Sequence, residues 1–330
     1  MIKGKHDPIS KIGEKGLIRM ILKEIDNSDV LVGNDDAVGI LLEQDSLLVV
    51  NIDTLFWPTD IPTNIKMTLR QGGRKTVIMA VSDLGAKGVK PRGFISSIGV
   101  PPKTRLRDVL ELVRGMREGA AEYGMRYLGG DLSESRDTII SGVTFGVACP
   151  QNVMTRSGAK VGDKVFLTGE FLTGAGLKIA VNDLSAPVEL KRTLVRSVTT
   201  PKARVREGIA LGRSGIATAC IDSSDGLVRS LFELAEASQV GIRVHHLPIP
   251  ESVRKFAKIN KLNPEQLVLY GGEEYELVFT IHAKMTDMIT GVFQELGSKV
   301  TQIGEVIRER KILLGDEELD PTGYEHFVSR

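Results

Sequence analysis

Acidic residues gather where apolar strand patterns give way to turns or helices. The stretches "GNDDAVG", "NIDTL", "VSDLG", "LGGDL" and "IDSSDGL" supply Asp35, Asp36, Asp53, Asp83, Asp131, Asp222 and Asp225. A carboxylate at the end of an apolar strand is costly to desolvate unless a cation lies beside it. Mg²⁺ is a hard cation that takes carboxylate and phosphate oxygens as ligands. The set therefore indicates a site for divalent cations and phosphates.

Each acid taken alone has an ordinary structural alternative. Asp225 could cap the helix that begins at Leu227, because aspartate is a favoured N-cap residue. Asp35 and Asp36 could form a solvated turn. The metal interpretation rests on the whole set, since turn chemistry alone does not account for so many acids beside glycine or serine.

Two glycine pairs extend this picture, while the motifs of other enzyme classes are missing. The stretches "GGD" (129–131) and "GGEEYE" (271–276) allow close approach of a phosphate or nucleotide to the backbone. The stretch "GEFLTGAG" (169–176) lacks the lysine of a P-loop. No G-x-S-x-G elbow accompanies the five histidines, and no His or Cys has zinc-ligand spacing. These observations disfavour P-loop enzymes, serine hydrolases and zinc enzymes.

The composition predicts a cytoplasmic two-domain protein. The chain has 330 residues, which exceeds the usual size of one hydrophobic core. Lys and Arg number 43 against 42 Asp and Glu, so no net field steers the protein toward nucleic acid or membranes. Neither a signal-peptide pattern nor a membrane-spanning apolar run is present. Cys149 and Cys220 lie in apolar runs and are predicted to be small core residues rather than disulfide partners.

The elements that must position the acids follow an α/β pattern. In the first half, periodicity predicts helices at 14–25, 66–81 and 104–124, and strands at 46–55, 93–100 and 137–149. In the second half it predicts strands at 164–168, 217–222 and 276–281, with helices at 174–181, 203–212 and 227–237. Alternating strands and helices indicate a layered α/β fold. We place the domain boundary near 150, giving domains 1–150 and 151–330.

Eight spaced motifs resemble those of the thiamine-monophosphate kinases in their archaeal form. In chain order they are "GNDDAV", "NIDTL", "VSDLGAKG", "LGGD", "TRSGAKVGD", "IDSSDGL", "GGEEYEL" and "GYEHF". The resemblance extends from about Gly33 to Phe327. It implies the two-domain fold of aminoimidazole ribonucleotide synthetase, in which the N-terminal sheets of two subunits form a barrel. It also implies a homodimer that transfers the γ-phosphoryl group of ATP to thiamine monophosphate, giving thiamine diphosphate.

The resemblance also implies roles for individual residues. The expected Mg²⁺ ligands are Asp36, Asn51, Asp53, Asp83, Asp131, Asp222 and Asp225. The expected ATP contacts are Gly130, Asp131, Arg156 and Ser224, and the expected substrate contacts are Asp60, Glu273 and Tyr324. We expect Asp222, Asp225 and Arg156 to carry the catalysis. Several Mg²⁺ ions fit this chemistry, because phosphoryl transfer needs positioning and charge neutralisation more than covalent help.

Three positions depart from the family pattern. Asn51 replaces a hydroxyl-bearing metal ligand with a neutral amide oxygen, and "GGDL" replaces the more usual "GGDT". Asp60 stands where many bacterial relatives place a substrate-binding histidine. An aspartate there would repel a substrate phosphate unless a metal ion lay between them.

Two kinds of alternative function stay open. The first is another ATP-dependent enzyme of the same superfamily. Selenophosphate synthetase would require a reactive residue such as cysteine near the N-terminus, and no cysteine precedes Cys149. The hydrogenase maturation relative ends in a functional cysteine, whereas this chain ends "FVSR". "GGEEYEL" and "GYEHF" point away from aminoimidazole ribonucleotide synthetase itself. The second alternative is a non-catalytic regulator that binds Mg–ATP.

Overall fold

Six strands from the first half of the chain form one mixed sheet in the computed structural model, which describes residues 9–25, 30–32, 35–43 and 45–321. The elements of this half are β1 (Val30–Val32), β2 (Val38–Glu43), β3 (Ser46–Trp57), β4 (Pro91–Val100), β5 (Arg126–Glu134), β6 (Thr138–Ala148), α1 (Gly13–Ile21), α2 (Leu69–Ala86) and α3 (Leu106–Glu122). The strand order is β1-β2-β3-β6-β4-β5, with β4 and β5 parallel and the other neighbours antiparallel.

Helices cover one face of this sheet. On β3, Leu47, Val49 and Leu55 are buried against α2 and its surroundings, while the alternate residues face the other side. α2 begins with a capping box in which Thr68 and Gln71 exchange hydrogen bonds. α2 and α3 pack closely because Gly115 has no side chain: a Cβ there would lie 1.9 Å from the Arg70 carbonyl oxygen. The opposite face of the sheet has no helix over it within the described residues.

The second half of the chain builds a seven-stranded mixed sheet with helices packed on it. Its elements are β7 (Lys164–Thr168), β8 (Ala217–Ser223), β9 (Gly241–Val244), β10 (Glu276–Ile281), β11 (Val300–Ile307), β12 (Ile312–Leu314), β13 (Glu317–Glu318), α4 (Thr173–Asn182), α5 (Val188–Thr199), α6 (Val205–Ser214), α7 (Leu227–Ser238), α8 (Glu251–Asn260), α9 (Pro264–Leu269) and α10 (Thr286–Leu296). The strand order is β13-β12-β9-β11-β7-β10-β8. β10 is buried along its whole length, as expected for a central apolar strand.

The layered α/β architecture predicted from the sequence is confirmed, with several differences in its elements. α2 runs to Ala86 rather than ending at 81, because Val81, Leu84 and Ala86 are fully buried and favour continuation of the helix. The stretch 126–134, left without an element, is strand β5. Cys149 is exposed and not a core residue, because it follows the last residue of β6 and precedes a short 3₁₀ helix. The described chain contains no helix long and apolar enough to cross a membrane.

Candidate active site

α2 brings Asp83 to the junction between the two sheets. The sequence placed Asp83 in a loop after a helix, whereas the structure places it in the last turn of α2. The preceding residue, Ser82, donates a hydrogen bond of 2.6 Å from its hydroxyl to Asp222 Oδ2 on β8. α2 therefore connects the acids of the first half with those of the second.

β3 supplies Asn51 and Asp53 from the face covered by α2. The prediction that Asp53 ends its strand is wrong: β3 continues to Trp57, because its residues pair with β6 from Leu47 to Trp57. Asn51 is buried and its side-chain amide donates a hydrogen bond to Asp83 Oδ2. In this geometry the amide nitrogen faces the carboxylate, and the amide oxygen is the atom available to a cation.

Three of the predicted metal ligands converge. Carboxylate oxygens of Asp36, Asp83 and Asp222 all lie within 4.8 Å of one another. Asp36 comes from the segment between β1 and β2, Asp83 from α2 and Asp222 from the end of β8. Asp35 and Asp36 are not a solvated turn, since their side chains are only 5% and 7% exposed. We call Asp35, Asp36, Asp83 and Asp222 the acidic cluster.

The acidic cluster has the donor chemistry of a site for Mg²⁺. Its oxygen ligands come from several carboxylates, which hard divalent cations prefer. Asp36 Oδ2 is buried, and its nearest cationic partner is the ammonium group of Lys87 at 2.8 Å.

Two basic side chains already lie against the cluster. Lys87 Nζ contacts both Asp35 and Asp36, with 2.8 Å to Asp36 Oδ2, and donates a hydrogen bond of 3.2 Å to the Cys220 carbonyl oxygen. The guanidinium of Arg156 donates to Asp36, and its backbone N–H donates to Asp35 Oδ2 at 2.8 Å. These contacts hold Asp35 and Asp36 from two sides.

The charges inside the cluster shift the pKa values of its members. Burial, followed by the charges of Asp222, Asp36 and Asp53, raises the pKa of Asp83 well above its usual range. Burial and the charge of Asp36 raise the pKa of Asp222 to about 7. Burial favours a higher pKa for Asp35 too, but the charges and hydrogen bonds of Lys87 and Arg156 outweigh it. The pKa of Asp35 is therefore lowered. Asp83 and Asp222 are therefore the members whose charged forms burial disfavours, and a bound cation would favour those charged forms.

The turn between β8 and α7 carries Ser224 and Asp225. The helix-cap alternative for Asp225 is wrong, because Gly226 is the N-cap of α7 and no side chain caps this end. Burial and the charge of Glu233 raise the pKa of Asp225 to about 7. Ser224 is exposed at the same turn. Glu233 links this region to Arg156 through a 3.4 Å ion pair and to Arg229 through a 2.8 Å hydrogen bond.

Gly130 and Asp131 lie apart from the cluster within one chain. Gly130 has a φ of +153°, and a Cβ there would lie 1.7 Å from the Ser96 carbonyl oxygen, so only glycine fits against β4. Asp131 pairs with Ser97, which pairs with Ser141, which pairs with Thr54. This row occupies the face opposite to that of Asp53. The roles of Gly130 and Asp131 stay predictions.

The "GGEEYE" loop places Glu273 beside a buried lysine. Lys75, on α2, has no exposed side-chain surface and donates a hydrogen bond of 2.5 Å to Glu273 Oε1. The backbone N–H of Glu273 donates to the Ser224 carbonyl oxygen at 2.5 Å. Glu273 has a φ of +62°, an uncommon conformation for a residue with a side chain. These contacts fix the carboxylate next to the β8–α7 turn.

The other two predicted substrate contacts are Asp60 and Tyr324. Asp60 Oδ2 accepts a 2.7 Å hydrogen bond from the backbone N–H of Phe56, which stabilises the turn after β3. Tyr324 lies outside the described residues.

The sequence motifs supplied Asp35 with the other acids but gave it no role of its own, and they did not single out Lys75 or Lys87. Lys87 is four residues after Asp83, a spacing that puts both side chains on one helical face. This signal was obscured because the helix was ended at residue 81. Lys75 had no recognisable signal, since a lysine in an amphipathic pattern is usually solvent-exposed.

Comparison with known proteins adds evidence of a different kind. The family described as AIR synthase related protein matches with its N-terminal domain at residues 33–148 and with its C-terminal domain at residues 160–316. Thiamine-monophosphate kinase of Pyrococcus horikoshii is 37% identical over 321 residues, covering 96% of this chain and 97% of that protein. Thiamine-monophosphate kinase of Nitrosopumilus maritimus is 34% identical over 324 residues, covering 97% of this chain and 100% of that protein.

A solved structure shares the whole fold. It is AaThiL complexed with AMPPCP and TMP, with a TM-score of 0.86, 24% sequence identity, and coverage of 98% of this chain and 99% of that chain. The likeness confirms the two-domain fold expected from the motifs.

Proposed function

The chain belongs to the thiamine-monophosphate kinase family of AIR synthase related proteins, and from this premise we propose that it phosphorylates thiamine monophosphate with ATP to give thiamine diphosphate and ADP. The full-length relatives named above carry that activity in their names. The structure with the same fold contains AMPPCP and TMP. This reaction would be the last step of thiamine diphosphate biosynthesis.

The observation that carries the proposal is the convergence of Asp36, Asp83 and Asp222. These acids are distant in sequence, yet their oxygens gather within 4.8 Å at the junction of the two sheets. Transfer between two phosphates brings several negative charges together, so the reaction needs positive charge at one place. A gathered set of carboxylates provides it by holding divalent cations.

We propose that several Mg²⁺ ions are held by Asp36, Asp83 and Asp222, with Asn51, Asp53 and Asp225 beside them; Asp131, on the opposite face of its sheet, remains a ligand proposed from the family motif alone. When bound, Mg²⁺ neutralises phosphate charge and orients the phosphates for in-line transfer. Asn51 is positioned for this role because its amide nitrogen is engaged with Asp83. Asp225 is available because it does not cap α7.

The basic and polar residues around the cluster would bind the nucleotide. Arg156 presents a planar guanidinium, which binds phosphate oxygens in a bidentate manner. Ser224 is exposed before the N-terminus of α7, where backbone N–H groups and the helix dipole favour anions. Gly130 would let a nucleotide approach the backbone of β5. No general base is required, because a phosphate monoester oxygen is already nucleophilic near neutral pH.

On the acceptor side, we propose Glu273 as a contact of thiamine monophosphate. Its Oε2 atom is buried and has no hydrogen-bond partner among the described residues, so it can accept a hydrogen bond from the substrate. Tyr324 remains a proposed contact from the family motif. Asp60 is in use as a turn acceptor for Phe56, so we expect it to shape the substrate site rather than to bind phosphate.

We also propose a homodimer. The face of the first sheet that lacks helices carries apolar side chains in neighbouring strands, including Ile52 at 65% exposure, Ile40 at 43% and Ile95 at 38%. A sheet face of this kind is usually covered by protein. A second copy of the chain, joined through the same face, would form the barrel implied by the family resemblance. Because the reaction consumes ATP, we propose that the protein works in the cytoplasm.

The experiment that tests the function is turnover. Purified protein with MgCl₂, ATP and thiamine monophosphate should yield thiamine diphosphate and ADP in equal amounts, separated by liquid chromatography. Asp222→Asn should abolish most of this turnover, whereas the matched control Asp287→Asn, an exposed residue on α10, should not. Absence of product at every Mg²⁺ concentration would instead support a protein that binds Mg–ATP without catalysis.

A further inference from the structure

Lys87 is a fully buried cation at the end of α2. Its side chain has no exposed surface, and its ammonium group lies between Asp35 and Asp36. A third contact, the hydrogen bond to the Cys220 carbonyl oxygen, comes from β8. The backbone of Lys87 is also fixed, since its N–H donates to the Asp83 carbonyl oxygen and its own carbonyl accepts from Met154. Its position is therefore set by four separate segments of the chain.

Lys87 differs from the other cation of the cluster in what it can reach. The side chain of Arg156 is 21% exposed, so it can turn toward a nucleotide phosphate. Lys87 is enclosed by the acids that it contacts and presents no surface to a ligand. A buried ammonium is tolerated only where carboxylates and hydrogen bonds replace its hydration. Its charge thus acts on the acidic cluster and not on the substrates.

We propose that Lys87 is a permanent internal cation of the acidic cluster, which holds Asp35 and Asp36 together and weakens the binding of divalent cations to Asp36. This inference rests on the proposed function, because metal binding by the cluster is part of that function. A divalent cation bound by Asp36 is repelled by the ammonium group at 2.8 Å from the same carboxylate. Tight metal binding then requires the additional oxygens of a phosphate ligand, which couples metal binding to nucleotide binding.

The test compares two buried lysines, Lys75 on α2 and Lys87 directly after the last residue of α2. Lys87→Met removes the charge inside the cluster, and Lys75→Met removes an equally buried charge that pairs with Glu273 instead. Binding of Mn²⁺ without nucleotide is measured by isothermal titration calorimetry, and thermal unfolding is followed in EDTA and in saturating MgCl₂. We expect Lys87→Met to bind Mn²⁺ about tenfold more tightly than the unchanged protein. Its unfolding midpoint should fall in EDTA and recover largely in MgCl₂.

The control variant should behave differently. Lys75→Met should leave Mn²⁺ affinity unchanged and should lose the same stability with and without Mg²⁺. If Lys87→Met binds Mn²⁺ no more tightly and its loss of stability is independent of Mg²⁺, the residue has only a packing role and the proposal is wrong. If the single variant does not fold, the same comparison is made between Asp35→Asn and Asp35→Asn/Lys87→Met, where the acid and base are removed together.

Failure of the proposed function gives a different result. If the unchanged protein binds no Mn²⁺ and makes no thiamine diphosphate, the metal site itself is absent and this inference fails with it. If it binds Mn²⁺ and makes product while Lys87→Met shows no gain in affinity, only the role of Lys87 is rejected.

Discussion

Asp222→Asn should make the metal-free protein more stable while removing its activity. Asp222 is buried at the end of β8, where burial and the charge of Asp36 raise its pKa from 3.8 to about 7. An acid whose pKa is higher in the folded state binds its proton more tightly there, so stability falls as pH rises from about 4 to about 7. Above about pH 7 the charged Asp222 lowers the free energy of unfolding by its full amount, on the order of 4 kcal/mol.

Asparagine preserves most of the local geometry. Its amide oxygen can still accept the hydrogen bond that Ser82 donates to Asp222 Oδ2. In EDTA at pH 8, the variant should therefore unfold at a temperature about 5 °C higher than the unchanged protein, given the entropy of unfolding of a chain of this length. At pH 5 the advantage should shrink to about 2 kcal/mol, because the charge of Asp222 is then mostly absent from the folded state.

The assay is thermal unfolding by circular dichroism at both pH values, with and without MgCl₂. Saturating Mg²⁺ should reverse the order, since it stabilises the protein that has the complete cluster. Turnover of the variant should fall by at least about a hundredfold, as for loss of an electrostatic contact to the transition state. A variant that is less stable than the unchanged protein in EDTA at pH 8, or whose advantage does not change with pH, would refute the electrostatic reasoning.

Three further predictions concern the dimer face, the β5 glycine and the guanidinium of the site. Ile52→Asp should convert the proposed dimer into a monomer, because the variant buries a charge in the apolar face. Light scattering after gel filtration measures the mass, and an unchanged dimer would reject this interface. Gly130→Ala should lower the free energy of unfolding in urea by at least about 2 kcal/mol, because the added methyl group collides with the Ser96 carbonyl. An unchanged unfolding midpoint would contradict this contact between β4 and β5. Arg156→Lys should raise the KM for ATP about tenfold in initial-rate measurements, since lysine lacks the planar fork; an unchanged KM would place Arg156 away from the nucleotide.

The fold was predictable where apolar periodicity is strong. α3 and β6 follow patterns that the sequence displays openly, and the structure has them near the expected bounds. β5 was missed because its pairing with β4 shifts register between Tyr127 and Gly130 and most of its residues are exposed. α2 was cut short for a related reason: glycine and polar residues near its end are stabilised by burial against α6, a tertiary effect that local propensity does not report.

Asp36, Asp83 and Asp222 were named from the sequence and the structure brings them together, but the sequence did not predict where in the fold they lie. Asp83 lies in the last turn of α2 rather than in a loop after it, and Asp53 lies inside β3 rather than at its end. Convergence across the two sheets depends on how the domains pack, which no local pattern encodes. Lys87 escaped notice because a lysine is normally solvated, and only the surrounding carboxylates make its burial tolerable.

The proposed function requires the acidic cluster to hold divalent cations between two phosphorylated ligands. The most direct measurement is anomalous diffraction from crystals grown with Mn²⁺, a non-hydrolysable ATP analogue and thiamine monophosphate. We expect Mn²⁺ peaks within about 2.5 Å of carboxylate oxygens of Asp36, Asp83 and Asp222, each shared with a phosphate oxygen. Crystals that contain both ligands but show no anomalous peak at these three side chains would contradict it.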